Sequence, residues 1–146
     1  MEKSEVITTL NELAEISRDG EQGFLAAAED VENPTLKTVF RTAAARCAEG
    51  AKELESKIVS LGGEPSKSGS MTGAMHRAWT NLKAALTSRS EQAVLEEVER
   101  GEDAAKDAYQ QAIAQPLPPE IRSMVQRQYQ GVKENHDRVR SLRDAA

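Results

Sequence analysis

Apolar residues recur along most of the chain at alternating steps of four and three. From Ser4 to Val31 the seam is Val6, Leu10, Leu13, Ser17, Gly20, Phe24, Ala27 and Val31. That spacing keeps one face of a helix on a partner, and Ser4, followed by an acidic residue, suits its start. Asn33-Pro34 breaks the pattern, with Asn33 as N-cap and Pro34 at the first position of a second helix. The second seam is Leu36, Phe40, Ala43, Cys47, Gly50, Leu54, Ile58 and Leu61, closed by Gly62-Gly63. Residues 62–70, rich in Gly, Ser and Lys with Pro65, read as a loop. Met75, Trp79, Leu82 and Leu86 stripe a shorter helix. Ser88 or Ser90 can cap the next, with seam Leu95, Val98, Glu102, Ala105, Tyr109 and Ile113. Pro116, Pro118 and Pro119 stop it, and a last seam follows: Ile121, Met124, Gln128, Val132, Asn135, Val139 and Leu142.

The expected fold class is all-α, in one domain spanning 1–146, with helices at about 4–31, 34–61, 71–87, 89–114 and 118–144. The four long rods are each about 40 Å at 1.5 Å per residue. Tight breaks after the first and fourth helices imply antiparallel hairpins. Between the hairpins, the loop and short helix are long enough to travel the length of the bundle. One long crossover between two hairpins is the ferritin-like four-helix arrangement, and an up-down bundle with a docked extra helix is the alternative.

Each long seam is interrupted near its middle by a glycine (Gly20, Gly50, Gly101, Gly131) and by small or polar residues: Ser17, Ala43, Cys47, Glu102, Ala105 and Gln128. A helix-interior glycine costs about 1 kcal/mol against alanine. Either close helix packing and a register-fixing polar layer compensate, or the waist is a present or former site. Glu102 is the charged residue at the centre of its seam, and a buried carboxylate must be paired, protonated or bound to a cation. With helices running up, down, down, up, Glu21, Glu99 and His136 fall at a similar height. Three carboxylates and an imidazole could hold iron or manganese. Alternatively Arg46, from the second helix, neutralises them as a salt-bridge cluster. His76, Cys47 and Trp79 read as packing residues, and no nucleophile-base pair or phosphate loop is evident.

Composition narrows the classes. Good helix formers dominate and β-branched residues are sparse. A net charge of -5 and 3% aromatic residues argue against non-specific nucleic-acid binding. No apolar run approaches the roughly 18 residues of a membrane span. The opening MEKSEVITTL lacks a signal peptide's apolar stretch and reads as the start of a cytoplasmic protein. The single Cys47 excludes an internal disulfide.

Several segments together carry a family likeness: Ser17-Arg18-Asp19-Gly20-Glu21 with Gly23-Phe24, Leu61-Gly62-Gly63-Glu64-Pro65, His76-Arg77-Ala78-Trp79, Glu99-Arg100-Gly101-Glu102-Asp103 with Tyr109, and Gln128-Tyr129 with Gly131-Val132-Lys133 and His136-Asp137. In these the sequence resembles a bacterial ferritin-like family of unknown function related to the YciF-type stress proteins. The resemblance implies a ferritin-like bundle, a stress-linked setting and self-association as a dimer. Active ferritin and rubrerythrin relatives carry a Glu on two helices and Glu-x-x-His on the other two. Here Glu21 and Glu102, or Glu99, can match the lone glutamates. The motif position of the second helix reads Arg46-Cys47-Ala48-Glu49, and that of the last reads Lys133-Glu134-Asn135-His136. Two cations in place of bridging carboxylates would repel a metal pair.

Three functions follow as expectations: a non-enzymatic stress or scaffold protein without cofactor, a metal-binding protein or oxidase with a degenerate Fe or Mn site at Glu21, Glu102 and His136, and an interaction module using the Trp79 crossover helix or an exposed apolar helix face.

Overall fold

The computed structural model describes residues 1–66, 73–88 and 90–145, with the backbone alone for 73–79. All regular structure among them is helical: α1 (Lys3–Asp30), α2 (Pro34–Ser60), α3 (Gly73–Ser88), α4 (Glu91–Ile113) and α5 (Pro119–Ala145). No described helix is long and apolar enough to cross a membrane. The expected residues Met71 and the side chains of Met75, His76 and Trp79 lie outside what is described.

Local chemistry sets the helix ends. Asn33 Oδ1 accepts from the Thr35 and Leu36 amides at 2.9 and 3.3 Å, with Pro34 at the first position of α2. Lys37 Nζ reaches back to the Ala28 carbonyl at 2.9 Å, satisfying an orphan acceptor at the end of α1. Ser90, not Ser88, caps α4, its hydroxyl accepting from the Ala93 amide at 3.2 Å. Ser88 Oγ instead donates to the Ala85 carbonyl. Ser4 is not the start of α1. Glu2 holds the N-cap position without a side-chain bond, and Ser4 lies inside the first turn, its carbonyl accepting from Thr8 Oγ1. At the α4–α5 turn the Arg122 guanidinium gathers the Ile113 and Gln115 carbonyls.

Gly62 ends α2 with φ +87°, and the Gly63 amide returns to the Ile58 carbonyl at 2.9 Å. A Cβ on Gly63 would lie 2.8 Å from Ile7 Cγ2, so this turn sits directly on α1. Asn11 then holds the following loop, donating to the Glu64 carbonyl and accepting from the Ser66 amide.

Cross-helix pairs give the directions. Lys57 meets Glu120, Glu53 meets Arg127 and Arg46 meets Glu134, so α2 and α5 are antiparallel. Thr9 meets Gln115 and Ser17 meets Tyr109, so α1 and α4 are antiparallel too. Helices α1 and α5 therefore point one way, and α2 and α4 the other. The end of α2 and the start of α4 therefore lie at opposite ends of the bundle, and Leu82 and Ala85 pack α3 onto the core.

The core is divided in two. One apolar cluster joins Phe24, Leu36, Phe40, Leu95 and Val139, with the Phe24 and Phe40 rings 6.1 Å apart. The other joins Leu10, Leu13, Leu54, Ile58, Ile121 and Val125. Between them lies the polar waist. Of its glycines, Gly20 is closely packed: a Cβ there would lie 3.0 Å from Cys47 Sγ. Gly50 faces Gln128 at ordinary distance, and Gly131 faces open space, so Gly131 is not a close-packing position.

The same substitution should therefore have opposite signs at two sites. Gly131→Ala removes helix-interior glycine entropy with nothing to clash, and should stabilise by about 0.5–1 kcal/mol. Gly62→Ala forces a side chain into left-handed backbone and should destabilise by about 1–2 kcal/mol. Denaturant unfolding midpoints at constant m-value check both.

Candidate functional site

The waist is built on α4 and α5. Glu99, Glu102 and Asp103 stand at i, i+3 and i+4, which puts them on one face of α4. His136 and Arg143, two turns apart on α5, face them. Glu99, Glu102 and His136 are buried, at 8, 6 and 4% exposure. His136 Nε2 lies 2.5 Å from Asp103 Oδ1 and 4.0 Å from Glu99 Oε1. Its other ring nitrogen, Nδ1, is 3.4 Å from Asp137 Oδ1. Arg143 Nη1 lies 2.5 Å from the second Glu99 oxygen, Oε2, an ion pair without hydrogen-bond geometry. One donor atom from each of Glu99, Asp103 and His136 lies within 4.8 Å of the others.

Glu102, one turn from Glu99, has no such partner: its Oε1 is buried without a hydrogen bond. Burial drives its carboxyl well above the usual carboxylate range, and the neighbouring charges of Asp103, Glu99 and Asp137 push it further. Asp19 Oδ2 is also buried without a hydrogen bond, and burial, helped by Glu15, raises that carboxyl to about 6. Cys47 is pushed up to about 12 by burial and then by Glu102 and Glu21, so it is a neutral thiol.

A second polar layer, further down, is fully satisfied. Tyr109 donates its hydroxyl proton to Gln128 Oε1 at 2.8 Å. The Gln128 amide donates to Glu53 at 2.7 Å and to the Gly50 carbonyl at 3.3 Å. Burial raises the Tyr109 phenol to about 12, which keeps it a donor. Although burial opposes it, hydrogen bonds from Arg127 and Gln128 hold the Glu53 carboxyl below its ordinary value.

Of the residues expected at the site, Glu99 and His136 come together and Glu102 is buried beside them. Glu21 does not join them: Arg18 captures it at 3.0 Å, and the same guanidinium takes Glu55 at 2.7 Å. Arg46 does not neutralise the waist either. It is exposed and pairs with Glu134 and Asn135, so Arg143 fills the role expected of Arg46. Asp103 and Arg143 were not expected. Asp103 was signalled by its spacing from Glu99, whereas Arg143 was hidden among surface charges at the end of α5. The residues do not fit a carboxylate-bridged metal pair. Arg46 and Cys47 stand where the second helix would supply ligands, and Glu21 is engaged elsewhere.

Glu102→Gln keeps the shape and removes the ionisable group. A carboxyl whose folded pKa is raised favours folding at low pH and loses that contribution as pH rises through the folded value. The variant should match wild type below pH 4, and as pH rises above the ordinary value of 4.5 it should exceed wild type by about 1.4 kcal/mol for each pH unit up to the folded pKa. Denaturant unfolding across pH measures the difference. A wild type more stable than the variant at high pH would show that Glu102 is paired.

The pattern of the family described as domain of unknown function DUF2383 matches residues 5–115. That span contains Glu99, Glu102 and Asp103, and His136 and Arg143 follow it. No curated protein matches the chain. With a match over most of its length, the chain belongs to the DUF2383 family.

Proposed function

We propose that this chain is a ferritin-like four-helix bundle that binds one divalent transition-metal ion at Glu99, Asp103 and His136, without catalysing a reaction. The convergence of three donor atoms within 4.8 Å, two of them on buried residues, carries the reading. Two carboxylate oxygens and an imidazole nitrogen suit Mn²⁺, Fe²⁺ or Zn²⁺. Asp137 on the far ring nitrogen supports it further, since metal-binding histidines commonly give their second N–H to a carboxylate. The two antiparallel hairpins, with a long connection between them, support the ferritin-like topology. A cytoplasmic, stress-linked bacterial setting and a homodimer follow from the resemblance alone. Nucleic acid and membrane are not among the partners proposed, given the acidic, aromatic-poor composition.

A second reading has its own support. Arg143 on Glu99 and His136 on Asp103 make a metal-free staple between α4 and α5. In that case the protein is a scaffold, and the waist fixes helix register.

Metal content separates them. Protein from cells grown with added iron and manganese, purified without chelator, should carry stoichiometric metal. His136→Gln and Asp103→Asn should lose it while remaining helical, and Glu21→Gln should keep it. Asp137→Asn should weaken binding by about 10–100-fold. Trace metal unchanged across these variants would leave the staple and overturn the metal site.

A further inference from the structure

Helix α5 is seated unevenly. Its first part, to Gln128, is fixed several times over. Ile121, Met124 and Val125 are buried in an apolar cluster. Arg122 gathers the Ile113 and Gln115 carbonyls, and Gln128 is bonded to Tyr109, Glu53 and the Gly50 carbonyl.

Among the described residues, the rest of α5 is held by less. Seven of the fourteen residues in 132–145 are charged. The buried side chains of this stretch are His136 and Val139, with Val132 and Leu142 partly buried. On the α2 side a groove of about 340 Å³ is lined by Arg46, Gly50, Gly131 and Asn135, and a Cβ on Gly131 would meet nothing within 4 Å. Arg46 and Glu134 pair there in solvent, which contributes little. On the α4 side the specific contacts are polar: His136 with Asp103, and the Arg143–Glu99 ion pair. An isolated helix of about fourteen residues is marginal in water, so a stretch that lifts off does not keep its backbone hydrogen bonds.

Given the metal site proposed at Glu99, Asp103 and His136, on which the strap depends, we infer that residues 132–145 form a strap whose docking the metal controls. Two ligands come from α4 and one from α5. The ion therefore bonds across both helices when the strap is docked and loses His136 when it lifts. A ligand that binds one state alone favours that state by the factor 1 + [L]/Kd. Loss of the ion frees the strap and opens one side of the apolar cluster to which Val139 belongs. The chain thus converts metal occupancy into a change of surface.

The test is amide hydrogen exchange of the full-length protein by NMR, in chelator and with Zn²⁺, under conditions where exchange tracks the opening equilibrium. Bound zinc is counted on the same samples by elemental analysis. In chelator, amides of residues 135–142 should be at least about tenfold less protected than those of Leu54 and Val125, through a sub-global opening. Free Zn²⁺ at about 100 times its Kd should raise their protection about 100-fold. His136→Gln should show no such gain. One zinc per chain with strap protection unchanged, strap amides as protected as Leu54 in chelator, or a zinc effect that persists in His136→Gln would each overturn the strap. The first two would leave the metal site standing, and absence of bound zinc would overturn both. The chelator and zinc arms on wild-type protein decide the matter even if the variant folds poorly.

Discussion

The constraint on which the rest of the structure depends is the burial of two carboxyl groups one turn apart, Glu99 and Glu102, in the middle of a helical core. Charge in that position must be met by opposite charge, by hydrogen bonds or by a proton. Glu99 is met by Arg143 and faces His136, which fixes where α5 lies along α4. Glu102 is met by neither, and burial, helped by the charges of Asp103, Glu99 and Asp137, raises its carboxyl well above the usual carboxylate range. The division of the apolar core into two clusters follows, because no large hydrophobic side chain can occupy the level the acids take.

Stability and specificity therefore come from different places. The two apolar clusters supply the driving force, at about 1.5–3 kcal/mol for each large side chain fully buried. The exposed pairs Arg46–Glu134 and Lys57–Glu120 add about 0–1 kcal/mol each. The waist adds little or costs something, yet it sets the α4–α5 register, since sliding α5 by a turn would separate Arg143 and His136 from Glu99. A sequence that retains such a layer retains it for what the layer binds or fixes.

Much of this was legible in the sequence. The four-three seams marked the helices, and Asn33-Pro34 and Gly62-Gly63 marked two of the turns, because those residues act through local backbone chemistry. Glu102 announced its burial by standing at the centre of an apolar seam. The flank residues were not legible. Glu21 and Glu99 are equivalent by helical phase, but Arg18 draws one outward and Arg143 draws the other inward. Arg46 and Arg143 differ in the same way: long side chains reach whichever carboxylate their neighbours leave available, and periodicity does not encode that choice. The missing partner of Glu102 is a property of three helices together, so no single seam could reveal it.

A carboxyl buried without a partner should be neutral at neutral pH, and isotope-edited infrared spectroscopy of metal-stripped protein reads this directly. Wild-type protein should show the carbonyl stretch of a protonated carboxyl, displaced by ¹³C-glutamate labelling and absent in Glu102→Gln. A spectrum containing ionised glutamates alone would mean that Glu102 is charged and compensated, and would contradict the account of the waist given above.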